Sequence, residues 1–128
     1  MIVADTDVLI DFLAGEGLAA DRIYLELERG DLRTTVITRF ELLCGARSNR
    51  QRKAVAELLD ALPAIALDKA AADAAAELRR DLERRGEDIG MADSLIAGIV
   101  LHRNGILLTR NVRHFQRIKG LHIAKIDL

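Results

Sequence analysis

Met1-Ile2-Val3-Ala4-Asp5-Thr6-Asp7-Val8-Leu9-Ile10 opens the chain with a short apolar run that ends on carboxylates. Beyond them Val8, Leu9, Phe12 and Leu13 fall at helical spacing. A buried central strand looks like this when it delivers an acid to the carboxyl edge of an α/β sheet, where open sheets of this kind hold their ligands. Asp5 is thus the residue to explain. No Lys or Arg lies nearer in sequence than Arg22, so a charge on Asp5 needs a partner from elsewhere: a basic side chain brought by the fold, a proton or a metal ion.

Outward from this stretch, Gly15-Glu16-Gly17 predicts a turn and Leu18 to Arg29 an amphipathic helix stopped by Gly30. Leu32 to Ile37 reads as a second strand. Thr38 is placed to cap the next helix, with Glu41 three residues on in the capping-box position, and Gly45 ends it. Asn49 to Leu62 is helical up to Pro63, and Ala64 to Leu67 is a weak strand. Asp68 caps a long helix from Lys69 to about Arg85, whose alanine stripe lets another backbone approach closely. After Gly86 to Gly90 come a helix over Met91 to Arg103, buried on more than one side, a strand at Ile106-Leu107-Leu108, a turn or short helix over Thr109 to Phe115, and a last strand over Leu121 to Ile126. The alternation implies an α/β fold with a central parallel sheet covered by helices on both faces. The length of 128 residues fits a single domain, 1–128, with one core.

Half the residues are apolar and 30% are charged, an ordinary globular composition that excludes a disordered chain. No apolar run approaches a bilayer span, and the N-terminus lacks the flanks of a signal peptide, so the expected location is cytoplasmic with no membrane association. A lone Cys44 agrees with a reducing compartment and is expected to be a small buried apolar residue. The net charge of −1 argues against coating nucleic acid by bulk electrostatics. It also hides a division: residues 1–31 are rich in acids, whereas Ser94 to Ile126 has none and carries Arg103, Arg110, Arg113, Arg117, Lys119 and Lys125. This is either scatter or an acidic site with a basic rim, as an enzyme acting on a polyanion needs. The few aromatics, Phe12, Tyr24, Phe40 and Phe115, are expected in the core, leaving no stacking platform for single-stranded RNA.

In a parallel sheet every strand's carboxyl end lies on one edge. Asp5, the Thr38–Glu41 turn and the Thr109–His114 segment all follow strands, and Asp93 joins them if its helix begins at that edge. Three clustered carboxylates repel one another unless a proton or a divalent cation compensates. Mg²⁺ or Mn²⁺ suits a few carboxylates plus substrate phosphate, and an acidified water on the ion attacks phosphorus. The chemistry that follows is phosphodiester hydrolysis. The plainer readings are an arginine-paired Asp5, a capping Glu41 and an Asp93 that complements a helix dipole.

Asp5-Thr6-Asp7-Val8-Leu9-Ile10, Thr38-Arg39-Phe40-Glu41-Leu42-Leu43-Cys44-Gly45, Ile89-Gly90-Met91-Ala92-Asp93-Ser94-Leu95-Ile96-Ala97 and Leu108-Thr109-Arg110-Asn111-Val112-Arg113-His114-Phe115 occur in this order across nearly the whole chain. Together they resemble the PIN-domain ribonucleases, specifically the VapC toxins of bacterial toxin–antitoxin pairs. The resemblance implies a three-layer α/β/α fold and a Mg²⁺- or Mn²⁺-dependent endoribonuclease acting on RNA. It also implies a homodimer and inhibition by a small antitoxin that inserts a segment into the active-site groove. It makes Asp5, Glu41 and Asp93 the acidic metal-holding triad. The family's fourth acidic position falls at Asn111, which still offers an oxygen but no charge, so one metal is the default. Asp7 is expected to bond the loop or metal-bound waters. Thr6 and Thr109 would hydrogen-bond the carboxylates, with Thr6 also near substrate. Arg110 and Arg113 either clamp substrate phosphate or neutralise the acids. His114 is a proton donor, a cap or a packing partner of Phe115.

Two rivals remain. Asp5-x-Asp7 after a strand also resembles the nucleophile motif of haloacid-dehalogenase-like phosphatases, but no lysine lies between Lys69 and Lys119 and Asp93 belongs to no acidic pair. The other, motivated by Asn111, is a degenerate PIN domain that binds RNA or a protein without cutting.

Overall fold

The computed structural model describes residues 1–127. The chain runs β1 (Ile2–Ala4), α1 (Thr6–Leu13), α2 (Gly17–Arg29), β2 (Leu32–Thr35), α3 (Val36–Gly45), α4 (Asn49–Ala61), β3 (Ala64–Ile65), α5 (Lys69–Arg84), α6 (Met91–His102), β4 (Ile106–Leu108), α7 (Val112–Phe115) and β5 (His122–Ala124). All strand pairs are parallel, in the order β3-β2-β1-β4-β5. This is the expected three-layer α/β/α architecture with a central parallel sheet.

β1 sits in the middle because its side chains are apolar on both faces. Val3 and Leu107 point to one face, where they meet Leu78, Leu82, Ile96 and Ile99 of α5 and α6. Ala4, Leu32 and Leu108 point to the other, against Val8, Leu9 and Ile23 of α1 and α2 and Leu58 and Leu59 of α4. The alternation is the strand period of two, and it needs a run with no polar residue until the strand ends. In register, Val3 lies opposite Arg33 and Leu107, and Ala4 opposite Leu108.

The alanine stripe of α5 does what its small side chains permit. A Cβ on Gly98 of α6 would lie 2.6 Å from the Ala75 Cβ and 2.7 Å from the Ala71 carbonyl oxygen. The two helices therefore meet nearly backbone to backbone.

Several boundaries differ from expectation. β2 stops at Thr35, and Val36 and Ile37 open α3 instead of extending the strand. The cap is Thr35, whose Oγ1 accepts the Thr38 N–H at 3.1 Å. A buried threonine cap outweighs the β preference of two branched residues. Glu41 consequently lies in the second turn and is no capping-box residue. A true capping box, Ser48 with Gln51, opens α4. β3 and β5 are shorter than expected, with Ala66, Leu67, Leu121, Lys125 and Ile126 outside them.

The core assignment of the aromatics holds for Phe115 but fails for Tyr24 and for Phe40, which is 64% exposed. Phe40 and Cys44 are four residues apart on the side of α3 opposite buried Leu42, so Cys44 is exposed as well, against expectation. Among the described residues no helix is long and apolar enough to cross a membrane.

Candidate active site

The strand order reverses direction at β1. From there the chain builds outward to β2 and β3, then returns to lay β4 and β5 on the other side. The crevice at the carboxyl ends of β1 and β4 is the switch point, where ligands of doubly wound sheets bind. Asp5 follows β1 and Thr109 follows β4. The Asp5 N–H continues the ladder to the Leu108 carbonyl at 2.9 Å.

Asp5 is buried, with 3% of its surface exposed. It caps α1: Oδ1 accepts the Thr6 N–H at 2.8 Å, and Oδ2 accepts the Thr109 hydroxyl at 2.8 Å across the crevice. No Lys, Arg or His among the described residues forms an ion pair with it. Burial pushes the Asp5 carboxyl from its ordinary 3.8 up to about 6. The Thr109 and Thr6 hydrogen bonds pull it partly back, and the charges of Asp93 and Asp7 push it further up. Of the three partners expected for this charge, the basic side chain is thereby removed, leaving a proton or a metal ion.

Glu41 reaches the same edge through hydroxyls. The Thr6 hydroxyl donates to Glu41 Oε1 at 2.7 Å, Thr6 and Thr38 Oγ1 are 2.9 Å apart, and the Thr35 hydroxyl donates to Thr38 at 3.4 Å. A carboxylate only accepts, so the hydrogens must run one way: Thr35 to Thr38, Thr38 to Thr6, Thr6 to Glu41. Thr6 thus holds both acids, its N–H on Asp5 and its hydroxyl on Glu41. Thr34 Oγ1 donates to the Ala4 carbonyl at 3.0 Å and fixes β2 beside this edge.

Asp93, in the first turn of α6, arrives at the crevice because α6 begins there. Its Oδ2 lies 2.9 Å from His114 Nε2, a close contact without the alignment of a hydrogen bond. The His114 ring also stands edge-on to Phe115, 5.3 Å between centroids. The expected packing on Phe115 is therefore observed, and the contact with Asp93 is added to it. No sequence signal pointed to that pair.

The basic segment meets the acidic one at Arg110. Its Nη1 contacts both oxygens of Asp11, at 3.1 and 2.9 Å, and its Nη2 lies 3.7 Å from Asp7. Arg110 is thus paired with acids, but they are Asp11 and Asp7 and not the Asp5, Glu41 and Asp93 cluster that the neutralising reading expected. Asp7 is half-exposed beside it. Arg113 is exposed and makes no ion pair among the described residues. Asn111 is exposed, and its backbone N–H is bonded to Thr109 Oγ1 at 2.9 Å.

The residues fit a hard divalent ion. An acid is buried without a cation, two other acids act on it electrostatically, and the donors are oxygens. Among the described residues no three Asp, Glu, His or Cys side chains already stand close enough to close on one ion. Glu41 is held by Thr6, and Asp93 lies against His114. A site of this kind suits an ion that keeps several waters and takes few protein oxygens.

Strand order and acidic edge define a doubly wound α/β protein with its ligand site at the switch point. Residues 2–121 match the PIN domain, and the chain belongs to that family. It is 30% identical over 121 residues to the tRNA(fMet)-specific endonuclease VapC of Shigella flexneri, covering 91% of each chain. It is 32% identical over 121 residues to ribonuclease VapC10 of Mycobacterium tuberculosis, covering 94% of this chain and 90% of the relative. The solved structure of DNA-bound VapBC from Salmonella typhimurium matches with a TM-score of 0.89 at 28% identity, over 98% of this chain and 97% of that one. The family expected from the four motifs is the family found, and the phosphatase alternative has no place in it.

Proposed function

We propose that the protein is a Mg²⁺- or Mn²⁺-dependent endoribonuclease, the toxin of a toxin–antitoxin pair. One observation carries the chemistry: Asp5, buried at the switch point with no cationic partner among the described residues, is acted on by the charge of Asp93 and tied through Thr6 to Glu41. The names of the relatives support ribonuclease action.

In this reading Asp5, Glu41 and Asp93 would hold the ion. When bound, it supplies an acidified water and stabilises charge on the leaving oxygen of a phosphodiester. The protein's own groups do the rest. Thr109 and the Thr6 N–H aim the two Asp5 oxygens, and the hydroxyl relay from Thr35 aims Glu41. His114 stands beside Asp93. Asn111 offers an uncharged oxygen at the same edge, so a second ion would bind weakly without substrate. Asp7 takes up ordered water on the rim. Arg113 meets substrate phosphate directly, and Arg110 does so once released from Asp11.

The partner in this reading is a small antitoxin. A cavity of about 320 Å³ between α1, α3 and α4, lined by Ile10, Leu13, Leu42 and Val55, opens beside Glu41 and suits an apolar anchor of such a segment. A homodimer belongs to the same proposal and is tested by mass in solution. Purified protein should cut mixed RNA with Mg²⁺ or Mn²⁺ and stop with chelator. The Asp5→Asn and Asp93→Asn variants should lose cleavage. Equal cleavage by all three proteins would exclude this site, and RNA binding without cleavage would make the chain a degenerate member.

A further inference from the structure

A second cavity, of about 510 Å³, lies on the other side of α1 from the Glu41 groove. Its lining includes Thr109, the residue that donates to Asp5, and Arg110, so it adjoins the acidic edge. Leu18 and Ala19 of α2, Val112 of α7 and Ile126 supply apolar surface. Buried Arg22 donates to the Lys125 carbonyl at 2.6 Å and holds the segment after β5 against α2, so the walls are fixed by the fold. The volume is in the range of small-ligand pockets.

The charges say which part of a nucleotide would enter. Asp11, Glu16 and Asp127 outnumber Arg110 and Lys125 on the lining, the wrong sign for a phosphate. It is the right sign for a base that donates hydrogen bonds. Asp11 is occupied by Arg110, whereas the Glu16 side chain has no hydrogen-bond or ion-pair partner among the described residues. A carboxylate presents two acceptors side by side. Guanine matches it with a ring N–H and an amino group donating in parallel. Adenine and cytosine place an acceptor nitrogen beside their amino group, and uracil flanks its N–H with two carbonyls. Bases of single-stranded RNA are read on this edge.

We infer that this cavity receives a guanine of the substrate RNA next to the bond that is cut, with Glu16 reading its donor edge and the apolar walls covering its faces. The substrate half of the inference rests on the ribonuclease reading. Arg110, at the mouth, then has an incoming phosphate as an alternative to Asp11.

Two measurements test it. Guanosine and uridine monophosphates, which share the phosphate, are titrated into wild-type protein and Glu16→Gln while the backbone amides of Ala19 and Val112 are followed by NMR. The guanine nucleotide should shift both amides and the uracil nucleotide neither. Losing one charge-assisted contact should weaken binding about tenfold in the variant. In parallel, a randomised RNA pool is cut by both proteins. Guanine should be enriched at one position flanking the cut by wild type and not by the variant. Equal shifts with both nucleotides, no shift with either, or the same base preference in both proteins would overturn the inference. If neither protein cuts RNA but the guanine nucleotide still binds through Glu16, the ribonuclease reading falls and the pocket stands.

Discussion

Replacing Asp5 by Asn should stabilise the metal-free protein at neutral pH. The folded chain holds the Asp5 proton up to about pH 6, the unfolded chain only to its ordinary 3.8. Below 3.8 both states are protonated and Asp5 carries no penalty. As pH rises from there toward 6, the unfolded chain releases a proton that the folded chain keeps, so stability falls. Above 6 the full penalty is present, about 3 kcal/mol for that interval. An Asn side chain fills the same space without the charge and keeps the acceptor for the Thr6 N–H. It must turn the Thr109 contact around, which costs about 1 kcal/mol. The net gain near pH 7.5 is then about 2 kcal/mol, or about 5–10 °C in Tm for a chain of this size. The assay is thermal and urea unfolding of both proteins in chelator at pH 4 and pH 7.5, so that all other titrating groups cancel in the difference. The advantage of Asp5→Asn should shrink to nothing or reverse at pH 4. Excess Mn²⁺ should reverse it at pH 7.5, because ion at about 100 times its Kd adds about 2.7 kcal/mol only to a protein that binds it. A variant less stable than wild type at pH 7.5 without metal, or a difference independent of pH, would refute the account of Asp5 as a buried acid lacking a counter-charge.

Three further outcomes follow from particular contacts. Thr6→Val removes the hydroxyl that donates to Glu41; Mn²⁺ affinity by calorimetry should fall about tenfold or more while the circular dichroism of the fold is kept, and unchanged affinity would detach Glu41 from the ion. Gly98→Ala forces a Cβ to within 2.6 Å of Ala75, so the urea midpoint should drop by an amount equivalent to about 1–3 kcal/mol, and an unchanged midpoint would contradict the close α5–α6 approach. Asn111→Asp adds a charge at the exposed edge and should tighten divalent-ion binding, a gain that unaltered calorimetric affinity would rule out.

Most of the fold was legible because its signals are local. Asp68 before an alanine stripe, Gly30 after an amphipathic run and two apolar runs ending on Asp5 and Thr109 each carry their own instruction. The start of α3 was not, because two opposite preferences fall on the same residues. Val36 and Ile37 favour strand, and only the tertiary burial of Thr35 and Thr38 against Thr6 settles the contest for helix. Phe40 and Cys44 were misplaced for another reason, because residue type was read without its position around the helix. Leu42 faces inward, and the residues two positions to either side must face out.

At the site, topology brought the acids to one edge, and topology follows from the alternation of strands and helices. What brought each carboxylate to its present rotamer could not be read in advance, since apart from the Thr6 N–H on Asp5 those contacts are long-range. Thr109 meets Asp5 across 104 positions and Arg110 meets Asp11 across 99. The first of these contacts offsets only part of what burial and the neighbouring acids do to Asp5, and the second shows where the nearby positive charge goes instead. Arg110, which follows Thr109 at this edge, is spent on Asp11 and Asp7. Had Arg110 reached Asp5 instead, the buried acid would carry its own counter-charge and a divalent ion would have to displace it. The arrangement in place keeps the inner acid open to a cation, and Asp11, unremarked in the sequence, is the residue that holds Arg110 away from it.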